Sequence, residues 1–235
     1  MIKRLFNKPI EFECIYKHNL AMEKTPAVMA NKQVMADAKN IENLRWPART
    51  LKQCPAFFYS KKFGFLIRSP YSIRITLRPD RQVKVELPDD GPPPVTPHES
   101  IQHLPFLSNR VILKIEPEFG IREKTGVPCF YRGAWQMNKS IYSDFVVPSG
   151  YIDFKYNNTT NIFIALPVPE HGEKVVTIRA GDPMVHIIPL TEREINLSHR
   201  VDPDFRNITH HRISFDDSEF IATKRLMKKN DELRD

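Results

Sequence analysis

Apolar residues fall at every second position along two neighbouring runs, Tyr71-Ser72-Ile73-Arg74-Ile75-Thr76-Leu77-Arg78 and Val83-Lys84-Val85-Glu86-Leu87, separated by Pro79-Asp80-Arg81-Gln82. A period of two means one wet and one dry face, so the segment predicts a β-hairpin with Ile73, Ile75, Val83 and Val85 inward and Arg74 outward. Short apolar or alternating runs bounded by Pro, Asp and Asn predict further strands at residues 13–17, 57–59, 65–68, 111–116, 141–147, 161–166, 175–179 and 184–190. Cys54, Phe57, Phe65, Ile164 and Ile187 sit within or beside such runs and are expected in the core. About ten strands fit two packed sheets, so the expected fold is mainly β, a sandwich or jelly roll.

Helical spacing is confined to the two ends. Ala27 to Lys39, behind Thr25-Pro26, reads as a short helix because proline suits a first turn. Residues 217–233 read as a C-terminal helix, with Ser218 as N-cap, Phe220, Ile221, Lys224, Met227 and Lys228 at helical spacing, and acids early and lysines late to match the dipole. Between the halves, residues 88–97 contain five prolines in ten positions and predict an extended, exposed loop. Residues 1–87 alone offer few strands for a core, so 1–235 is expected to be one domain carrying that loop.

Composition narrows the class. With 235 residues, 41% hydrophobic and 27% charged, the chain has enough apolar material for a core. Proline is enriched, at 20 residues, and glycine depleted, at 8, which disfavours a helical bundle and leaves no GxGxxG or GxxxxGK[ST] loop for phosphates. Cys14, Cys54 and Cys129 have no zinc spacing and read as buried thiols. Pro9, Glu11 and Glu13 interrupt what would be the apolar core of a secretory signal, and the apolar stretches are far shorter than a membrane helix needs. The expected location is therefore the cytoplasm, with no membrane contact and no cofactor.

The net charge of +7 is concentrated. Residues 45–85 hold ten Lys or Arg against one acid, Asp80, a local +9. Lys61, Lys62, Arg68, Arg74, Arg78 and Lys84 are the candidate anion-binding face, for nucleic acid or an acidic protein. Aromatics in the same stretch, Phe57, Phe58, Tyr59, Phe63, Phe65 and Tyr71, can stack bases if exposed or fill the core if not. His171-Gly172-Glu173 has the His-x-acid spacing of a two-His-one-carboxylate iron site, with His186, His199, His210 or His211 as the distal ligand. The same His171 and Glu173 also read as an exposed loop between two strands, and His186 as a core histidine.

Two resemblances extend over these residues. Gly150-Tyr151-Ile152-Asp153-Phe154-Lys155-Tyr156, with the later Ala180-Gly181-Asp182-Pro183-Met184-Val185-His186, resembles the dUTPase pattern. That resemblance implies that Asp153 orients a hydrolytic water and Tyr156 excludes a ribose. The departures are Pro148-Ser149-Gly150 in place of the Pro-Arg-Ser-Gly element, His186 in place of glutamine, and no Gly-rich closing tail. The run Trp46-Pro47-Ala48-Arg49-Thr50-Leu51-Lys52-Gln53-Cys54-Pro55-Ala56-Phe57, followed by 64–70 and 179–183, resembles a family of tailed phages, notably of marine and cyanobacterial hosts, and of some bacteria, with no established activity. It implies origin rather than chemistry. The expectation is a noncatalytic binding or structural protein of an infected bacterial cell or virion, able to self-associate. The alternative is a small-molecule enzyme, either iron-dependent at His171, Glu173 and His186 or nucleotide-hydrolysing at Asp153 and Tyr156.

Overall fold

A computed structural model describes residues 8–16, 27–30, 63–87, 95–97, 109–116, 119–134, 144–156 and 161–202. These residues are mainly β. The strands are β1 (Ile10–Tyr16), β2 (Ala27–Met29), β3 (Phe65–Arg68), β4 (Ile73–Leu77), β5 (Val83–Glu86), β6 (Val95–Pro97) and β7 (Arg110–Ile115). They continue as β8 (Phe119–Arg122), β9 (Cys129–Gly133), β10 (Gly150–Ile152), β11 (Ile162–Pro167), β12 (Lys174–Ile178), β13 (Pro183–Pro189) and β14 (Ile195–Val201). Hydrogen bonding divides them into a five-stranded sheet, β10-β9-β13-β3-β2, and three three-stranded sheets, β14-β1-β8, β11-β7-β6 and β12-β4-β5.

All four sheets contribute to one apolar cluster. Phe12 of β1, Phe65 of β3 and Phe154 sit together in it, with ring centroids 5.1, 6.1 and 6.3 Å apart. Such tilted and edge-on pairs add about 0.5–1.5 kcal/mol each beyond the area they bury. Gly64 lets β3 approach β13 closely. Its φ is +78°, and a Cβ there would lie 1.9 Å from the Ile187 carbonyl oxygen, so only glycine fits.

The hairpin forms as its alternation requires: Ile73, Ile75 and Leu77 are buried and Arg74 is exposed. Phe65, Ile164 and Ile187 are also in the core, whereas Val83 and Val85 are only half-buried because β5 is an edge strand. Cys54, Phe57, the strand at 57–59 and the C-terminal helix at 217–233 lie outside the described residues.

Three local expectations need correction. Ala27–Met29, the start of the expected N-terminal helix, is a strand, because Ala27, Val28 and Met29 complete the ladder against Ile67, Leu66 and Phe65. The rest of that helix, to Lys39, lies outside the described residues. Val95–Pro97, the end of the expected proline loop, pairs with β7 and buries Val95; as an edge strand it tolerates Pro97, which has no N–H to donate. Residues 144–147, expected in a strand, make one isolated bridge, Val146 to Ala165.

Candidate functional site

The outer face of β12-β4-β5 gathers the hairpin's charges. Arg74 stands opposite Glu86, and Thr76 opposite Lys84, while Thr177 and Val175 flank Arg74 and Thr76 from β12. Arg78 follows β4, where the chain reverses through an Arg78 N–H to Gln82 C=O bond of 3.0 Å. Arg74, Thr76, Arg78, Gln82, Lys84 and Glu173 line a groove of about 420 Å³. Lys84 Nζ lies 2.7 Å from one Glu86 carboxylate oxygen and Arg74 Nε 3.8 Å from the other. Arg78 Nε donates to Glu173 at 2.8 Å. The hydrogen bond and charge of Lys84, with a smaller contribution from Arg74, lower the Glu86 pKa. Three cations against two carboxylates leave this groove at +1, well short of the density suggested by sequence alone. Of the other candidates for the face, Arg68 belongs to β3 in a different sheet, and Lys61 and Lys62 lie outside the described residues.

The nucleotide candidates occupy turns. Asp153 Oδ1 accepts from the Lys155 N–H at 3.1 Å, and the Tyr156 N–H donates to the Asp153 carbonyl at 3.1 Å. Tyr156 is buried, with the Lys155 ammonium 5.5 Å from its ring centroid. At the other element, Asp182 Oδ2 accepts from the Arg179 N–H at 2.7 Å and Gly181 supplies a φ of +90°. The register places these two turns at opposite ends of β13. Ile152 pairs with Cys129, which on its other side pairs with Pro189, whereas Gly181-Asp182 immediately precedes Pro183. Seven strand residues span roughly 20 Å at ~3.4 Å each.

The iron candidates are not brought together either. His171 and Glu173 lie on the exposed connection between β11 and β12, where Glu173 serves Arg78. His186 is buried on β13, with Nε2 2.6 Å from the Phe63 carbonyl oxygen and Nδ1 3.2 Å from Arg132 Nη2. Burial, with a contribution from the Arg132 charge, pushes its pKa down to about 4. Among the described residues no three His, Cys, Asp or Glu side chains cluster as metal ligands. His199 accepts the Tyr16 hydroxyl at Nδ1, 2.5 Å away. His210 and His211 lie outside the described residues.

Two groupings of residues escaped sequence reasoning. Glu123 is buried at the turn after β8, where Oε2 accepts the N–H groups of Gly126 and Val127 at 2.7 and 3.2 Å. Its Oε1 accepts the Thr125 N–H at 2.5 Å and the Thr125 hydroxyl. The loop thus wraps its own carboxylate in a ring of donors, an arrangement that elsewhere holds a bound anion. Gly126, with its φ of +76°, makes the turn, and nothing near Glu123 in the sequence marks the acid as inward. Cys14 and Cys129 are buried as expected, and burial pushes both thiols up to about 12, which makes them poor nucleophiles at neutral pH.

The second group is an aromatic row on the five-stranded sheet. Tyr151 of β10, Phe130 of β9 and Ile188 of β13 are directly opposite one another, so they share a face. The Tyr151 and Phe130 ring centroids are 5.4 Å apart. Ile188 also lines a groove of about 720 Å³ with Phe63 and Leu190. Tyr151 is 75% exposed, Phe63 57% and Leu190 51%. Comparison with known proteins found no matching family model and no matching curated protein.

Proposed function

We propose that the chain is a noncatalytic binding or structural protein of a phage-infected bacterial cell, in its cytoplasm or in the virion. Its scaffold is a sandwich or jelly roll in which the four hydrogen-bonded ladders stack in two layers. The outer face of β12-β4-β5 takes acidic groups of a partner. One observation carries this reading: Arg74, Arg78 and Lys84 converge on a single open groove, each already holding a carboxylate. Partner carboxylates or phosphates entering there replace Glu86 and Glu173 on cations that are already oriented. Because the net charge at the groove is small, the binding is weak and salt-sensitive.

The enzymatic alternatives draw less support, since His186 lies apart from His171 and Glu173, and the turn holding Asp153 and Tyr156 lies apart from Gly181-Asp182. Replacing Arg74 and Arg78 together by Glu tests the binding reading. Retention on a heparin column at low salt is expected to vanish in the double variant, while the thermal midpoint stays nearly constant, because exposed charges usually matter by less than about 0.5 kcal/mol. Undiminished retention refutes the assignment of the face.

A further inference from the structure

β5 is the last strand of β12-β4-β5 and has no second neighbour among the described residues. Its pairing with β4 fixes which of its backbone groups are already bonded. Arg78 N–H donates to Gln82 C=O, and the alternation of an antiparallel ladder makes Lys84 with Thr76 and Glu86 with Arg74 the next bonded pairs. The N–H and C=O groups of Val83, Val85 and Leu87 therefore point outward from the edge of the sheet. The side chains of the same three residues pack against the core yet are only half-buried.

We propose that this edge docks a second copy of the chain, its β5 antiparallel to the first about a two-fold axis at Val85. The two sheets then join as one, in the order β12-β4-β5-β5-β4-β12. The proposal uses the edge of the strand and does not rest on what the groove on the outer face binds.

Charge complementarity selects both the occupant and the register. With Val85 opposite Val85, Lys84 of each copy stands opposite Glu86 of the other, in a pair of the type without backbone bonds, where side chains come closest. Only shifts by two residues keep the faces matched. One such shift sets Lys84 against Lys84 and the other sets Glu86 against Glu86, and like charges directly opposite are destabilising. In the matched register each Glu86 lies between Arg74 of its own chain and Lys84 of the second copy, so charges of alternating sign cross the joint. On the inner face Val85 meets Val85 and Val83 meets Leu87, which takes their remaining apolar surface out of water. An unrelated strand has to carry this order of base, apolar residue and acid by its own sequence, whereas a second copy supplies it by symmetry. The pairing consumes both edges and so closes at two copies.

The test is sedimentation velocity on the full chain. A joint of one strand pair is small, so native protein is expected to pass from monomer to dimer between about 1 μM and 1 mM. Glu86→Lys and Lys84→Glu, each alone, place like charges opposite one another and are expected to weaken the dimer at least about tenfold. Mixed in equal amounts, the two variants again present opposite charges at both positions and are expected to associate as the native chain does. The exchange of both in one chain, Lys84→Glu with Glu86→Lys, is expected to dimerise as well. Both side chains lie at the surface, and recovery on mixing shows that the single variants are folded.

Native protein that stays monomeric throughout overturns the inference, and its retention on heparin then leaves the reading of the groove standing. A dimer that both single variants leave intact also overturns it; if Tyr151→Ala dissociates that dimer, the aromatic row is the contact instead. Folded single variants, with native thermal midpoints, that dissociate but do not recover on mixing likewise overturn it.

Discussion

At the scale of single residues, Glu123 and His186 show opposite ways of placing a titratable group inside the protein. Glu123 is satisfied by a ring of donors from its own turn. Hydrogen bonds to a charged group contribute about 1.5–3 kcal/mol, and their loss strands the N–H groups of residues 125–127. Glu123→Ala is therefore expected to lower stability by about 3 kcal/mol, and formate, which refills the vacated ring, is expected to restore part of it in denaturant melts. His186 is instead held neutral, its pKa pushed down to about 4 by burial. Above pH ~6.5 the ring is neutral folded or unfolded; as pH falls below ~6.5 the unfolded chain takes up a proton that the folded state refuses until about pH 4. Stability thus falls across that window by about 3 kcal/mol, each pKa unit being worth about 1.4 kcal/mol. His186→Gln, which keeps a donor for the Phe63 carbonyl, is expected to flatten the slope between pH 6.5 and 4.5 in urea unfolding. A slope as steep as the native one assigns the acid sensitivity elsewhere.

At the scale of elements, what was readable depended on whether a strand's partner was near in sequence. The β4-β5 hairpin is local and alternates on both arms, so its pairing and its outward arginine followed from period two. Ala27-Val28-Met29 carries no such signal. Behind a proline it has the look of a helical first turn, and only the ladder on β3, almost forty positions away, makes it a strand. Phe119–Arg122 and Cys129–Gly133 each include glycine and arginine, which hid buried strands. The sites follow the same logic. Alternation located Arg74 and Lys84, but the partner of Arg78, Glu173, is 95 positions away. Tyr151 and Phe130 come from separate segments of the chain, and only the sheet register sets them side by side. Gly64 holds one such long-range pairing, β3 on β13. Gly64→Ala drives a methyl group into the Ile187 carbonyl and is expected to cost at least about 3 kcal/mol, measured as a lowered urea midpoint. The turn of the hairpin offers the reverse case. Arg81 holds a φ of 66°, and Arg81→Gly is expected to raise stability by up to about 1 kcal/mol through relief of that strain.

At the scale of the whole molecule, the pairing of β1 with β14 joins distant ends of the described chain. Seven consecutive pairs, from Ile10 with Ile195 to Tyr16 with Val201, run parallel, and hydrogen bonds from Ile10 N–H to Glu194 and from Asp202 N–H to Tyr16 extend the ladder at both ends. The other strand pairs are antiparallel. A chain cut after Glu194 loses this partner of β1 and is expected to remain unfolded, as judged by far-ultraviolet dichroism and gel filtration. The orientation of the pair also decides how the protein meets mechanical load. A tether at Lys8 draws β1 from its leading end and a tether at Asp202 draws β14 from its trailing end, so tension slides one strand along the other. Every bond of the ladder then bears force at once, as in a glued lap joint, whereas an antiparallel hairpin tethered at its open end unzips one bond at a time. Single-molecule pulling through positions 8 and 202 is accordingly expected to require several-fold more force than pulling through residues 73 and 86 at the open end of the hairpin.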